Sequence, residues 1–156
     1  IGPITQAVFP RVTYIMKDNH DDGLLLARKV FRWQFSLMFV LSIFLYFFAD
    51  DIILIMYGKT YHESLEILKV LAFTPAIVTV SNYIAILVMI PIGMKKEFTK
   101  IITTSGLIGL LIITYLTNEY SGVGTAIGVI STEFIIMARF YFLIKKTNKL
   151  NNLNLL

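Results

Sequence analysis

Among the charged side chains inside or directly beside long apolar stretches, four are the best placed to do chemistry. Glu133 and Arg139 interrupt the run from Tyr120 to Ile144, while Arg32 and Lys69 each precede another such run. In a lipid bilayer a charged side chain costs at least about 2.5–3.5 kcal/mol, so it indicates function by default. We predict that the four residues contact a polar or anionic substrate or take part in proton coupling.

Each of these residues also has a structural interpretation. Glu133 could form a hydrogen bond to an adjacent helix. Arg139 could extend its side chain to the nearby membrane surface. Arg32 and Lys69 could anchor their helices at the membrane interface. Since Glu133 and Arg139 are six residues apart, they lie on different helix faces and are not expected to pair.

No other pattern in the sequence indicates catalysis. The chain has no cysteine, which excludes a disulfide scaffold and thiolate chemistry. His20 beside Asp21 and Asp22 has neither helical spacing nor a fourth ligand, so we expect a solvated loop rather than a metal site. His62 is interpreted as an exposed loop residue. Phosphate-binding, zinc-protease and serine-hydrolase motifs are missing. The sequence predicts no enzyme activity, no cofactor and no metal.

The composition is that of a membrane protein. Of 156 residues, 56% are hydrophobic and only 15% are charged, and the mean hydropathy is +0.74. A soluble domain of this length has too little interior to bury so much apolar surface. A soluble enzyme, a disordered tail and a nucleic-acid-binding domain are therefore excluded. The chain begins at Ile1 without Met, so we expect a piece of a longer protein with no signal peptide.

Uncharged or nearly uncharged runs predict four complete membrane spans. They extend over Trp33–Ala49, Val70–Met94, Ile101–Asn118 and Tyr120–Ile144. Each approaches or exceeds the roughly 20 residues that a helix needs to cross the hydrocarbon core. The opening stretch up to Pro10 is too short and is interpreted as the end of a fifth span. We predict an all-α, polytopic transmembrane bundle.

The distribution of Lys and Arg predicts the orientation. Eleven of these residues fall before the first full span, between the second and third, or after the last, against two in the other loops. Under the positive-inside rule the first group is cytoplasmic. Residues 17–32 are then a cytoplasmic connector, with a turn at residues 19–22, and residues 145–156 are a cytoplasmic tail. The basic excess sets topology and touches anionic lipid, and we expect no nucleic-acid partner.

Prolines and small residues predict local features of the spans. Pro75 and Pro91 should bend the second span near its outer and inner ends. A short helical turn should end at Gly58, with the next helix beginning around Glu63.

Two pairs of small residues occur at close-packing spacing. Ser105 and Gly109 form one pair, and Gly124 and Gly128 form a GxxxG. Such faces let two helix backbones approach closely. We predict that these four residues pack helices together.

Four stretches, in this order and spacing, resemble one known family. They are ITQAVFPRVT, ILIMYGKTYHESLEILKVLAFTPAIVTVSN, IGMKKEFTKI and GVGTAIGVISTEF. Together they are similar to the end of the eighth helix, the outer loop and tenth helix, the start of the eleventh helix, and the twelfth helix of the polysaccharide and O-antigen flippases. The resemblance covers about residues 3–145.

The resemblance implies a function. Members of this family have twelve helices in two lobes and move undecaprenyl-pyrophosphate-linked oligosaccharides across the bacterial inner membrane by alternating access. Residues 1–156 would then be the C-terminal part, about helices eight to twelve. The partners would be the lipid-linked oligosaccharide, membrane lipid and the N-terminal lobe. Alternatives are a multidrug or lipid II-type exporter of the same superfamily, a membrane-embedded glycan polymerase, and a structural helical subunit.

Overall fold

In the computed structural model, which describes residues 2–58 and 62–151, every regular element is helical. The elements are α1 (Gly2–Asp18), α2 (His20–Phe47), α3 (Ala49–Tyr57), α4 (His62–Leu71), α5 (Thr74–Asn82), a π-helical segment (Tyr83–Met89) and α6 (Lys95–Asn151). α2 packs against α1 and α5, and α6 packs against α4 and α5. The predicted all-helical class is confirmed for this part of the chain. The side chain of His62 lies outside the described residues.

Three helical stretches are long and apolar enough to cross a membrane. They are His20–Phe47, Glu63–Met89 and Lys95–Thr147. The count differs from the four predicted spans because the third stretch contains both the Ile101–Asn118 run and the Tyr120–Ile144 run.

α6 reverses direction in its middle. The backbone is non-helical at Tyr120 (φ −127°, ψ 15°) and Ser121 (φ 52°, ψ −133°). Beyond this point the chain returns along itself, because the hydroxyl oxygens of Thr117 and Thr125 are 2.8 Å apart. Further along, the rings of Phe98 and Phe140 stack with centroids 5.9 Å apart. Residues 95–119 and 122–151 are therefore antiparallel neighbours, which we call the α6 hairpin.

Small residues line the contact between the two halves of the α6 hairpin. A Cβ atom added to Gly128 would lie 2.9 Å from the Cα atom of Ile113, and one added to Gly124 would collide with the carbonyl of Leu116. Gly109 faces the side chain of Thr132 in the same way. Ser105 is fully buried. The backbones approach at these positions more closely than larger residues would permit.

The N-terminal part contains less loop than the sequence indicated. α1 continues through Pro10 to Asp18, and α2 begins at His20. The predicted turn at residues 19–22 is wrong for residues 20–22, which are helical; the chain turns at Asn19 alone. Asn19 caps α2, because its side-chain oxygen accepts a hydrogen bond from the Asp21 backbone N–H at 3.1 Å. This bond satisfies one of the free N–H groups at a helix start. Residues 17–32, predicted as a connector, thus comprise the end of α1 and the first turns of α2.

The two prolines have different effects. Pro75 stands at the start of α5, directly after a break in the helix at residues 72–73, so the predicted interruption is present there. A bend at Pro91 within a span is wrong, since the helix ends at Met89 and Pro91 lies in the following turn. In the π-helical segment before this turn, hydrogen bonds join residues five rather than four positions apart. The Ile90 N–H, for example, donates to the Ala85 carbonyl at 3.1 Å. Gly93 completes the turn at φ 88°.

The segment between the first two long helices is partly helical. α3 ends at Tyr57, directly before Gly58, and α4 begins at His62, close to the predicted positions.

The main buried cluster lies at one end of the bundle. It joins the end of α1, the start of α2, the π-helical segment and both ends of α6, through Val12, Met16, Leu24, Val88, Met89, Ile101, Phe140 and Ile144. Elsewhere large apolar side chains are exposed, including Trp33 at 76% and Ile55 at 83%. Exposed apolar surface on this scale is suited to contact with lipid or with further protein.

The close packing of the α6 hairpin makes a testable prediction. Gly124→Ala should lower the stability of the full-length protein by roughly 1–3 kcal/mol, because the added methyl group meets backbone that cannot yield. Gly106→Ala is the matched control, since a Cβ there meets nothing within 4 Å. The measurement is the thermal unfolding midpoint in detergent. Equal midpoints for the two variants would contradict the packing.

Candidate functional site

A cavity of about 350 Å³ opens between α2, the start of the π-helical segment and the second half of α6. It is lined by Arg28, Phe31, Arg32, Val80, Tyr83, Ile84 and Tyr141, and we call it the two-arginine cavity. Arg28 and Arg32 are four residues apart on α2, so both guanidinium groups lie on the same helix face. The cavity therefore combines two permanent positive charges with aromatic and aliphatic walls.

Tyr83 lines the buried part of this cavity. It is only 6% exposed, and its ring stacks on Phe31 with centroids 4.5 Å apart. Its buried hydroxyl lies near Arg28 and has no hydrogen-bond partner among the described residues. Tyr83 is also the first residue of the π-helical segment, and such segments often occur at functional sites. Two adjacent guanidinium groups present forked donors that match phosphate oxygens. The arrangement is thus suited to bind a phosphate or diphosphate group.

Arg139 contacts the opposite half of the α6 hairpin. Its Nη1 atom donates to the hydroxyl of Thr104 at 2.6 Å and to the hydroxyl of Ser105 at 2.7 Å. Both acceptors are neutral, so they orient the guanidinium without cancelling its charge. Among the described residues no carboxylate forms an ion pair with Arg139. The positive charge is therefore fixed in position and remains available to an anion.

Lys69 is in a different environment, at the end of α4. Its ammonium group forms an ion pair with Asp50 at the start of α3, with an Nζ–Oδ2 distance of 2.9 Å. Both side chains are partly exposed, so the pair contributes at most about 1 kcal/mol to stability. Its main effect is to tie α4 to α3 at that end of the bundle.

Glu133 is half-buried in the second half of α6. It lies between Thr132, which packs against Gly109, and Phe134, which is 57% exposed. Within the described part of the chain, no side chain donates a hydrogen bond to its carboxyl group. No hydrogen bond or ion pair of that part joins any two of Arg32, Lys69, Glu133 and Arg139, so the structure distributes these four residues rather than gathering them.

Sequence reasoning missed two residues of the two-arginine cavity. Arg28 was counted only among the topology-setting cations, although its four-residue spacing from Arg32 was a signal of a shared face. Tyr83 stands in an uncharged run, and nothing local marks it as the neighbour of an arginine 55 positions earlier.

The fold and this cavity define an all-helical protein of the membrane class with a cationic cavity between helices. Comparison with known proteins finds relatives that share one name. The chain is 30% identical over 150 residues to an Escherichia coli (strain K12) protein named "Putative O-antigen transporter", covering 96% of this chain and 36% of that relative. A Shigella dysenteriae protein of the same name is 28% identical over 136 residues, covering 86% and 33%. No family model and no solved structure matches the chain.

The chain is thus similar over nearly its whole length to proteins named "Putative O-antigen transporter", which confirms the resemblance seen in its sequence. It spans about a third of the length of the curated relatives that it matches.

The hydrogen bonds of Arg139 predict a measurable coupling across the α6 hairpin. Ser105→Ala and Arg139→Met should each destabilise the protein, and a double-mutant cycle should give a coupling of about 1 kcal/mol, as for other interhelical bonds in membranes. The measurement is thermal unfolding of the full-length protein in detergent. Thr114→Val is the control, because that hydroxyl bonds only the Leu110 carbonyl of its own helix. A coupling near zero would contradict the contact.

Proposed function

We propose that the full-length protein containing this chain flips an undecaprenyl-pyrophosphate-linked oligosaccharide across the bacterial inner membrane by alternating access. One observation carries this proposal: similarity over nearly the whole chain to proteins named as O-antigen transporters. Residues 1–156 would form about helices eight to twelve of a twelve-helix protein, completed by an N-terminal lobe.

In this proposal the chain crosses the membrane four times after the end of a fifth span. The reversal at Tyr120–Ser121 supports two crossings within α6, one by each half of the hairpin. The distribution of basic residues supports a cytoplasmic location for the turn at Asn19, the turn before Lys95 and the tail at 145–156. The reversal in α6 then faces the opposite side.

The chemical problem of flipping is the charge of the diphosphate. Moving unpaired charged and polar groups into hydrocarbon is very costly, so a transporter must replace their lost water with protein contacts. We assign this role to the two-arginine cavity, where Arg32 is exposed and Arg28 lies near the buried Tyr83 hydroxyl. Because the cavity lies near the predicted cytoplasmic end of α2, it would take up the diphosphate from the inner leaflet. Rocking of the two lobes would then expose it to the outer side.

The other three predicted residues have separate roles in this proposal, at different depths in the membrane. Arg139 offers a fixed positive charge within the last span, held by Thr104 and Ser105. Lys69, paired with Asp50, holds the outer end and would be less available to substrate than Arg32. Glu133 has no donor among the described residues, which supports a coupling group that gains and loses a proton during the cycle.

The cavity assignment is tested in a strain that lacks the full-length gene. We expect Arg28→Gln combined with Arg32→Gln to reduce surface polysaccharide at least roughly tenfold, because each lost charge-assisted bond contributes about 1.5–3 kcal/mol. The measurement is surface polysaccharide in strains matched for membrane levels of the protein. Lys17→Gln combined with Lys146→Gln, which removes two exposed cations outside the cavity, is the control. Full polysaccharide with the arginine variant would overturn the assignment. A wild-type gene that restores drug tolerance instead of polysaccharide would overturn the function itself.

The coupling role of Glu133 is tested in the same strain. Glu133→Gln keeps the shape and removes the titrating group, so surface polysaccharide should fall severalfold at equal membrane levels. Glu119→Gln is the control, because Glu119 is exposed at the end of the first half of the α6 hairpin. Normal polysaccharide with Glu133→Gln would assign Glu133 to packing alone.

A further inference from the structure

Outside the two-arginine cavity, a second basic site lies between α1 and α2. A groove of about 490 Å³ follows the contact of these two helices. Arg11 and Lys29 stand on its wall, together with apolar side chains that include Val8, Val30, Trp33 and Leu37. Arg11 and Lys29 are exposed, and no carboxylate of the described residues forms an ion pair with either.

The groove is charged at one end and apolar at the other. Arg11 and Lys29 lie about equally far from the Asn19 turn, eight and ten residues away along their helices. The uncharged run of α2 begins only at Trp33, four residues beyond Lys29. This order predicts that the two cations lie at the membrane interface, while Trp33 and Leu37 extend into the hydrocarbon. An amphiphile with an anionic headgroup and apolar chains fits this order, because its headgroup would meet the two cations and its chains would meet the apolar side chains.

A neighbouring groove indicates how many chains this amphiphile has. Trp33 and Leu37 also line a second groove of about 460 Å³, with Arg32, Ser36 and Val40. The two grooves thus flank one ridge, and each has a cation at its wall. A phospholipid with two acyl chains could place one chain on each side of this ridge, whereas a polyprenyl phosphate has a single chain.

We propose that the α1–α2 surface is a binding site for an anionic phospholipid of the leaflet at which the Asn19 turn lies. Arg11 and Lys29 bind the phosphate headgroup, and the ridge of Trp33 and Leu37 separates the acyl chains. Basic pockets between helices at the cytoplasmic side of membrane proteins bind anionic headgroups in this manner. Its headgroup cations Arg11 and Lys29 do not line the two-arginine cavity, whereas Arg32 lines both that cavity and the second groove. The test of the lipid site does not depend on transport.

Trp33 makes this site directly measurable, because it is the only Trp of the chain. The full-length protein, with any other Trp replaced by Phe, is titrated in detergent with phosphatidylglycerol or phosphatidylethanolamine carrying brominated acyl chains, which quench nearby Trp fluorescence. We expect phosphatidylglycerol to quench at clearly lower concentration. Arg11→Gln combined with Lys29→Gln should weaken this binding by roughly 30-fold, because two cations near an anionic headgroup are lost.

The control variant is Lys17→Gln combined with Lys146→Gln, which removes the same charge outside the groove and should leave quenching unchanged. Three results would overturn the proposal. Equal quenching by the two lipids would show that charge does not select the occupant. Absence of quenching by either lipid would show that further protein covers Trp33. Displacement of the brominated lipid by an equimolar single-chain polyprenyl phosphate would assign the groove to that amphiphile.

Discussion

The structure depends on one constraint: a polar group in an apolar environment must find its partner inside the protein. Arg139 illustrates it, because its guanidinium bonds the hydroxyls of Thr104 and Ser105, which stand 35 and 34 positions earlier in the chain. These bonds require the two halves of α6 to touch. That contact in turn requires glycine at positions 124 and 128, where any side chain would meet the facing backbone.

The same contact builds the candidate site. Once the second half of α6 lies beside the first, Tyr141 closes the wall of the two-arginine cavity opposite α2. The π-helical segment supplies Tyr83, whose hydroxyl lies near Arg28 and whose ring packs on Phe31. A cationic cavity is expensive to keep beside hydrocarbon, and the buried Tyr83 phenol gives Arg28 a polar neighbour there. The other arginine remains exposed for a ligand.

Local patterns were enough to predict the helical class, the end of α3 near Gly58, the break at Pro75 and the similarity to O-antigen transporters. They failed where a distant partner or a capping bond decides the outcome. Residues 19–22 looked like a turn, yet one Asn19 side-chain bond starts α2 there. Pro91 looked like a bend, but the helix ends first at Met89. The hydroxyl partners of Arg139 and the contact between Tyr83 and Arg28 join residues far apart in sequence, and composition and periodicity carry no information on such pairs.

In the proposed topology the α6 hairpin crosses the membrane twice, and cysteine accessibility tests this double crossing most directly. The chain has no cysteine of its own, so Tyr120→Cys and Lys146→Cys are placed singly in the full-length protein with any other cysteine removed. A membrane-impermeant thiol reagent is then applied to intact spheroplasts. We expect the cysteine at position 120 to react at once, and the one at position 146 to react only after permeabilisation. Reaction of both positions from the same side would contradict the double crossing.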